Sequence, residues 1–284
     1  MEDIFNKQLE KFIKEGLFED IRDGDHTSMA CIPEDAIGKS KLLVKDKGVL
    51  AGVDIAQKIF EMAAPEKITF LKHLEDGTVV KHGDIAFEVT APVQVLLKTE
   101  RLVLNTMQRM SGIATMTKKY VDEVADLPVK ILDTRKTTPL LRFLEKRAVK
   151  IGGGTNYRVG LYDRIMIKDN HVDFCGGIEK AIQKVHQYLL EKNLTLEITV
   201  EVRNLKELEE TMKVGGIQRI MLDNFDLETM RRAVQIINKK YEVEASGGIT
   251  LETLRGYAET GVDFISVGAL THSFKSLDLS LKKV

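Results

Sequence analysis

The chain has 284 residues, 42 of them Lys or Arg and 43 Asp or Glu, and 43% are hydrophobic, the profile of a globular protein of one large or two moderate domains. A net charge of -1 argues against bulk nucleic-acid binding. No apolar run reaches the roughly 18 residues of a membrane span, and MEDIFNKQLEKF lacks the apolar stretch of a secretion signal, so no membrane association and a cytoplasmic setting are expected. Cys31 and Cys175 have no partner at disulfide-framework or zinc-ligand spacing.

In chain order, KLLVKDKGVLAG (41–52) and ITFLKHLEDGTVVKHGDIAFEVTAP (68–92) predict short antiparallel strands, with turns at Asp76-Gly77 and His82-Gly83 and a helix at about 53–63. Residues 94–125 have helical periodicity interrupted at Ser111-Gly112, where the joint between two domains is placed. From Pro128 onward one unit repeats: an apolar β-rich run, a turn, then a one-sided helix. The runs are VKILDT (129–134), RIMIKD (164–169), LEITVEV (196–202), RIMLDN (219–224), YEVEAS (241–246) and DFISVG (263–268). Asn204 and Asp226 stand as helix caps between them. Such alternation predicts parallel pairing, in either a closed β/α barrel or an open doubly wound sheet.

The carboxyl ends of parallel strands converge on one face, where β/α enzymes place their chemistry. Those ends carry Thr134-Arg135-Lys136, Lys168-Asp169-Asn170, Glu201, Asp223-Asn224, Ser246-Gly247-Gly248 and Gly268. Residues 135–168 hold nine basic side chains and two acidic ones, in a chain of almost no net charge. The cluster predicts a strongly anionic ligand, although Arg142, Lys146, Arg147 and Lys150 read equally well as a solvated helix face. Gly247-Gly248 and Gly268 precede helix starts and can offer backbone amides to a phosphate. Gly152-Gly153-Gly154 lacks the spacing of a nucleotide loop and reads as a flexible approach to a substrate loop. Glu201 and Asp223 offer oxygen ligands to a hard cation or to sugar hydroxyls, or simply balance the lysines. His171 and His272 read as structural residues or proton carriers alike.

Taken in order, LDTRKTTP (132–139), AVKIGGGTNYRVGLYD (148–163), MIKDNH (166–171), VEV (200–202), MLDN (221–224), EASGGI (244–249) and SVGALTHS (266–273) resemble the quinolinate phosphoribosyltransferase family. EDIRDGDHTS (19–28) and TERLVLNTMQRMSGIAT (99–115) extend the resemblance over nearly the whole chain. It implies a type II phosphoribosyltransferase of the α/β class: an amino-terminal α/β sandwich (1–112), joined by the carboxyl-terminal segment 273–284, then an incomplete parallel β/α barrel (113–272). It also implies a pentosyltransferase reaction of quinolinate with phosphoribosyl pyrophosphate that yields nicotinate mononucleotide, pyrophosphate and carbon dioxide, with Mg2+ as cofactor and a homodimer with shared sites.

Carried over by motif, Arg135, Arg158 and Lys168 hold the quinolinate carboxylates, with Arg101 reaching in from the other subunit. Lys136 contacts phosphoribosyl pyrophosphate; Glu201 and Asp223 serve the ribose hydroxyls and magnesium; Ser246, Gly247, Gly248, Gly268 and His272 bind the 5'-phosphate. Lys136, Glu201 and Asp223 form the catalytic set. One position departs from the pattern: where the family commonly has Asn-His-Arg, this chain has Asn156-Tyr157-Arg158. Tyr157 is assigned to the quinolinate set, its neutral phenol donating one hydrogen bond or its ring stacking on the pyridine. A related phosphoribosyltransferase-like protein of molybdenum metabolism shares the general pattern, but Arg101, Arg135, Arg158 and Lys168 together favour quinolinate. A lipoyl- or biotinyl-type carrier reading of residues 75–89 fails for want of a Met-Lys-Met type turn.

Overall fold

The computed structural model describes residues 2–284. By compactness the chain forms two units, one of residues 1–118, 138–153 and 274–284, the other of 119–137 and 154–273. No helix among the described residues is long and apolar enough to cross a membrane.

The first unit holds strands β1 (Ile37–Val44), β2 (Gly48–Val49), β3 (Thr69–Lys72), β4 (Val79–Val80) and β5 (Ile85–Pro92). The remaining strands are β6 (Lys130–Leu132), β7 (Ile165–Ile167), β8 (Ile198–Val202), β9 (Arg219–Asp223), β10 (Glu242–Ser246), β11 (Phe264–Ser266) and β12 (Leu279–Lys283). The four-stranded antiparallel sheet of the first unit runs β12-β1-β5-β3. The carboxyl-terminal strand therefore returns to pair with the first one. β1 alternates buried and half-exposed residues, as a sheet with one covered face requires. The predicted helix is present as Val53–Ala63, and it presses Phe60 against Phe70 and Phe87 of the sheet.

The expected interruption at Ser111-Gly112 is absent. A single helix runs from Val93 to Glu123, and its small residues mark close packing, not a break. Ser111 Oγ accepts the Ala51 N–H at 2.9 Å, and a side chain on Gly112 would overlap the Lys275 carbonyl oxygen. Tertiary contacts override the low local helix preference of the Ser-Gly pair. Helix Arg142–Ile151, read from sequence as part of the βα repeat, groups with the first unit. There Phe143 packs on Phe5 and Phe12, and Arg147 lies 3.7 Å from Asp54.

The second unit is a six-stranded, wholly parallel sheet in the order β6-β11-β10-β9-β8-β7. No pairing joins the edge strands β6 and β7 among the described residues. Segment 154–158 pairs with β6 instead, through a bridge between Leu132 and Thr155. β8 is buried at every position, as expected of a strand covered on both faces. Asn204 and Asp226 cap their helices as read from the sequence, accepting from the backbone of Glu207 and Thr229.

Candidate active site

The sheet lets alternate residues of each strand share a face. Thr199 and Glu201 share one on β8, and Arg219, Met221 and Asp223 one on β9. Register pairs Asp223 with Ser246 and Glu201 with Met221. At the carboxyl end, Lys168 Nζ donates to Glu201 Oε2 at 2.8 Å. Glu201 is 5% exposed while the lysine side chain is 45% exposed, so the carboxylate is anchored and the cation keeps an open side. Burial, and then the neighbouring Glu201 charge, push the Asp223 carboxyl above its usual range. Asn224 Nδ2 donates to Asp223 Oδ2 at 2.7 Å and partly offsets this. The end of the sheet thus holds two neighbouring carboxylates with less than full local compensation.

After β6 the backbone of Lys136 is fixed twice. Its N–H donates to Thr134 Oγ1 at 3.0 Å, and its carbonyl accepts from Thr271 Oγ1 at 2.9 Å. Thr271 is buried in the short helix Ala269–His272 that follows Gly268. A side chain on Gly268 would stand about 3 Å from His272 Nε2 and Lys136 Cδ, so bare backbone is what lets these groups approach one another. Gly247 adopts φ +102°, and an added Cβ would overlap Asn224 Oδ1 and lie 2.8 Å from the Asn224 nitrogen. Gly248 (φ +61°) faces open space. The predicted phosphate positions Ser246, Gly247, Gly248, Gly268 and His272 therefore lie at or just after the ends of β10 and β11. His171 is structural: its Nδ1 accepts the Lys168 N–H at 2.9 Å and caps helix Asp169–Cys175.

Arg158 is buried, Arg135 half-buried and Lys136 exposed. Arg101 belongs to the first unit, on helix Val93–Glu123, and lines a cavity of about 510 Å3 with Arg109, Asn105 and Glu19. In that unit Arg109 donates to the fully buried Glu145, whose other oxygen accepts the Thr138 N–H at 3.2 Å. Sequence reading missed this anchor.

Tyr157 departs from its expected place. Its hydroxyl lies 2.5 Å from Thr199 Oγ1, one inward position before Glu201 on β8. Its ring lies under the guanidinium groups of Arg219 (4.4 Å) and Arg164 (5.3 Å), which stand at the amino-terminal ends of β9 and β7. The phenol is thus turned toward the opposite end of the strands, away from the strand ends where the sequence reading expected it. With it lies a network that sequence reading also missed. Arg219 is paired with Glu242 at 2.8 Å and with the fully buried Glu244 at 3.1 Å, and Ser266 Oγ donates to Glu244. The signal was available: Arg219 and Glu244 are charges at inward positions of otherwise apolar runs.

Family models for quinolinate phosphoribosyl transferase match residues 25–111 (N-terminal domain) and 113–282 (C-terminal domain). A chloroplastic nicotinate-nucleotide pyrophosphorylase [carboxylating] of Arabidopsis thaliana is 44% identical over 96% of this chain and 82% of its own length. A probable enzyme of the same name from Bacillus subtilis (strain 168) is 43% identical over 96% and 93%. Among solved structures, NadC from Streptococcus pyogenes superposes with a TM-score of 0.91 at 38% identity, covering 98% of this chain and 97% of that one.

Proposed function

Since the chain belongs to the quinolinate phosphoribosyltransferase family, we propose that it transfers phosphoribosyl from phosphoribosyl pyrophosphate to quinolinate with loss of carbon dioxide, forming nicotinate mononucleotide for de novo NAD synthesis. The observation that carries this reading is the end of the parallel sheet, where an anchored Lys168–Glu201 pair and the half-buried Asp223 carboxyl stand beside glycine-bearing strand ends.

Arg135, Arg158 and Lys168 hold the two quinolinate carboxylates, and Lys136 contacts the pyrophosphate of the second substrate. Ser246, Gly247, Gly248, Gly268 and His272 receive the 5'-phosphate, with backbone N–H groups free of side-chain bulk. Glu201 and Asp223 orient the ribose hydroxyls. The same two carboxylates suit a hard cation: they are neighbours, undercompensated and offer only oxygen. A magnesium ion held by these two carboxylates would take its remaining ligands from substrate phosphates and water. When bound, magnesium supplies charge neutralisation to the departing pyrophosphate.

The C1–O bond to pyrophosphate breaks with its electron pair leaving on oxygen, and the ribose ring gains oxocarbenium character. Carboxylates near the ring stabilise that charge. The pyridine nitrogen then bonds to C1 and becomes cationic. Only then can the C2–carboxylate bond break, its electron pair held beside the cationic nitrogen until C2 takes a proton from solvent. Transfer therefore precedes decarboxylation.

A homodimer in which Arg101 completes the site of a second copy, and a cytoplasmic setting, belong to the same proposal. The dimer is supported by Arg101 being exposed and lining a cavity built wholly from the first unit. The test is incubation of purified protein with phosphoribosyl pyrophosphate, Mg2+ and quinolinate labelled in its 2-carboxylate. Nicotinate mononucleotide and labelled carbon dioxide are expected in equal amounts. Turnover of nicotinate in place of quinolinate would overturn the substrate assignment.

A further inference from the structure

We propose that Tyr157 is a positioning residue for quinolinate, acting through its hydroxyl contact with Thr199 to hold Arg158 in place. The proposal deepens the assigned reaction and rests on it.

Segment 154–158 is held by little regular strand pairing, a single bridge to one edge of the sheet. Its bridge to β6 sits at Thr155. Tyr157 supplies two more ties. Its N–H donates to Oδ1 of the fully buried Asp133 at 2.9 Å, at the end of the strand that carries Arg135 and Lys136. Its hydroxyl reaches Thr199, on the strand that carries Glu201. One residue thus ties the chain just before Arg158 to β8 through its side chain and, through its backbone, to the turn after β6 that presents Arg135 and Lys136. Burial and the nearby Glu244 charge push the phenol above its usual range, so it remains a neutral hydrogen-bonding group across the working pH.

A guanidinium that grips a carboxylate is effective in proportion to how little freedom its own backbone retains. Releasing the hydroxyl loosens Arg158 while leaving the reacting C1 and pyrophosphate untouched, so the loss falls on substrate binding and not on the chemical step.

The experiment measures kcat and both KM values for the wild type, Tyr157→Phe, Thr199→Val, Thr199→Ser and the double variant Tyr157→Phe/Thr199→Val. Each of the first two substitutions is expected to raise the quinolinate KM about three- to tenfold, with kcat and the phosphoribosyl pyrophosphate KM within about twofold. The double variant should match either single one, since both remove the same contact. Thr199→Ser, which keeps the hydroxyl, should restore the wild-type KM, and the Phe-to-wild-type KM ratio should stay constant from about pH 6 to 9. A rise in Tyr157→Phe with Thr199→Val unchanged would overturn the proposal in favour of direct contact with the substrate. Unchanged KM in both variants, or additive effects, would also overturn it. Wild-type protein that fails to turn over quinolinate would overturn the assigned reaction itself, an outcome visible before any variant is compared.

Discussion

The two ends of the same six strands handle charge in opposite ways. At the amino-terminal end, Arg219 is 7% exposed in its side chain, paired with Glu242 and Glu244 and covered by Tyr157 and Phe264. At the carboxyl end, Lys168 is open and Asp223 sits beside a second carboxylate. Buried charges with every partner in place form a closed structural unit. Charges left short of partners, at a position where ligands can arrive, are a site waiting for counter-charge from the ligand. Sequence composition treats both ends alike; only the local accounting of partners tells them apart.

Breaking the closed end should produce the largest effect on stability. Arg219→Met leaves Glu244 buried without its cation, and a loss of about 3–5 kcal/mol is expected in denaturant unfolding. A variant as stable as the wild type would erase the distinction between the two ends.

At the open end the signs reverse. Asp223→Asn should cut kcat/KM by about 100- to 1000-fold, the scale for losing a charge-stabilising group, yet raise the melting temperature. The folded carboxyl has a pKa above its unfolded value, near 3.9, so ionising it weakens the fold. That penalty is absent below about pH 3.9, grows as pH rises through the folded value, and is complete above it. The melting-temperature gain of the Asn variant should follow the same course, vanishing in acid. A gain independent of pH would point to packing in place of charge.

The smallest effect sharpens the phosphate end. Gly247→Ala forces a left-handed residue against the Asn224 backbone and should cost about 1–3 kcal/mol while raising the phosphoribosyl pyrophosphate KM. Gly248→Ala meets open space and should cost only the left-handed backbone penalty, about 1–2 kcal/mol. Equal effects on KM would remove the case for close backbone approach at Gly247.

The strands of the second unit, their parallel pairing and the groups at their carboxyl ends were legible in the sequence, because doubly covered strands read as apolar runs ending in a polar residue. The direction of Tyr157 was not. Side chains adjacent in sequence diverge in space, so a motif that places Arg158 at the ligand says little about its neighbour. The Ser111-Gly112 pair misled for a related reason: small residues weaken a helix locally, but here they let Ala51 and Lys275 approach it. The Arg109–Glu145 and Arg219–Glu244 pairs join residues far apart in the chain; a charge at an inward strand position flags Arg219 and Glu244 individually, but no local pattern says that they pair.

β12 lies at the edge of the first sheet beside β1, and this fixes an order of events during synthesis. All six parallel strands leave the ribosome before the first sheet receives its last member, about 235 residues after β1 ends. At ~5–20 residues per second the exposed edge of β1 waits on the order of 10–50 s. For that interval Ser40 to Val44 present an unpaired strand edge, so the first part of the chain to be made is the last to be completed, and nascent chains stalled within the parallel sheet are where misassembly through this edge should concentrate.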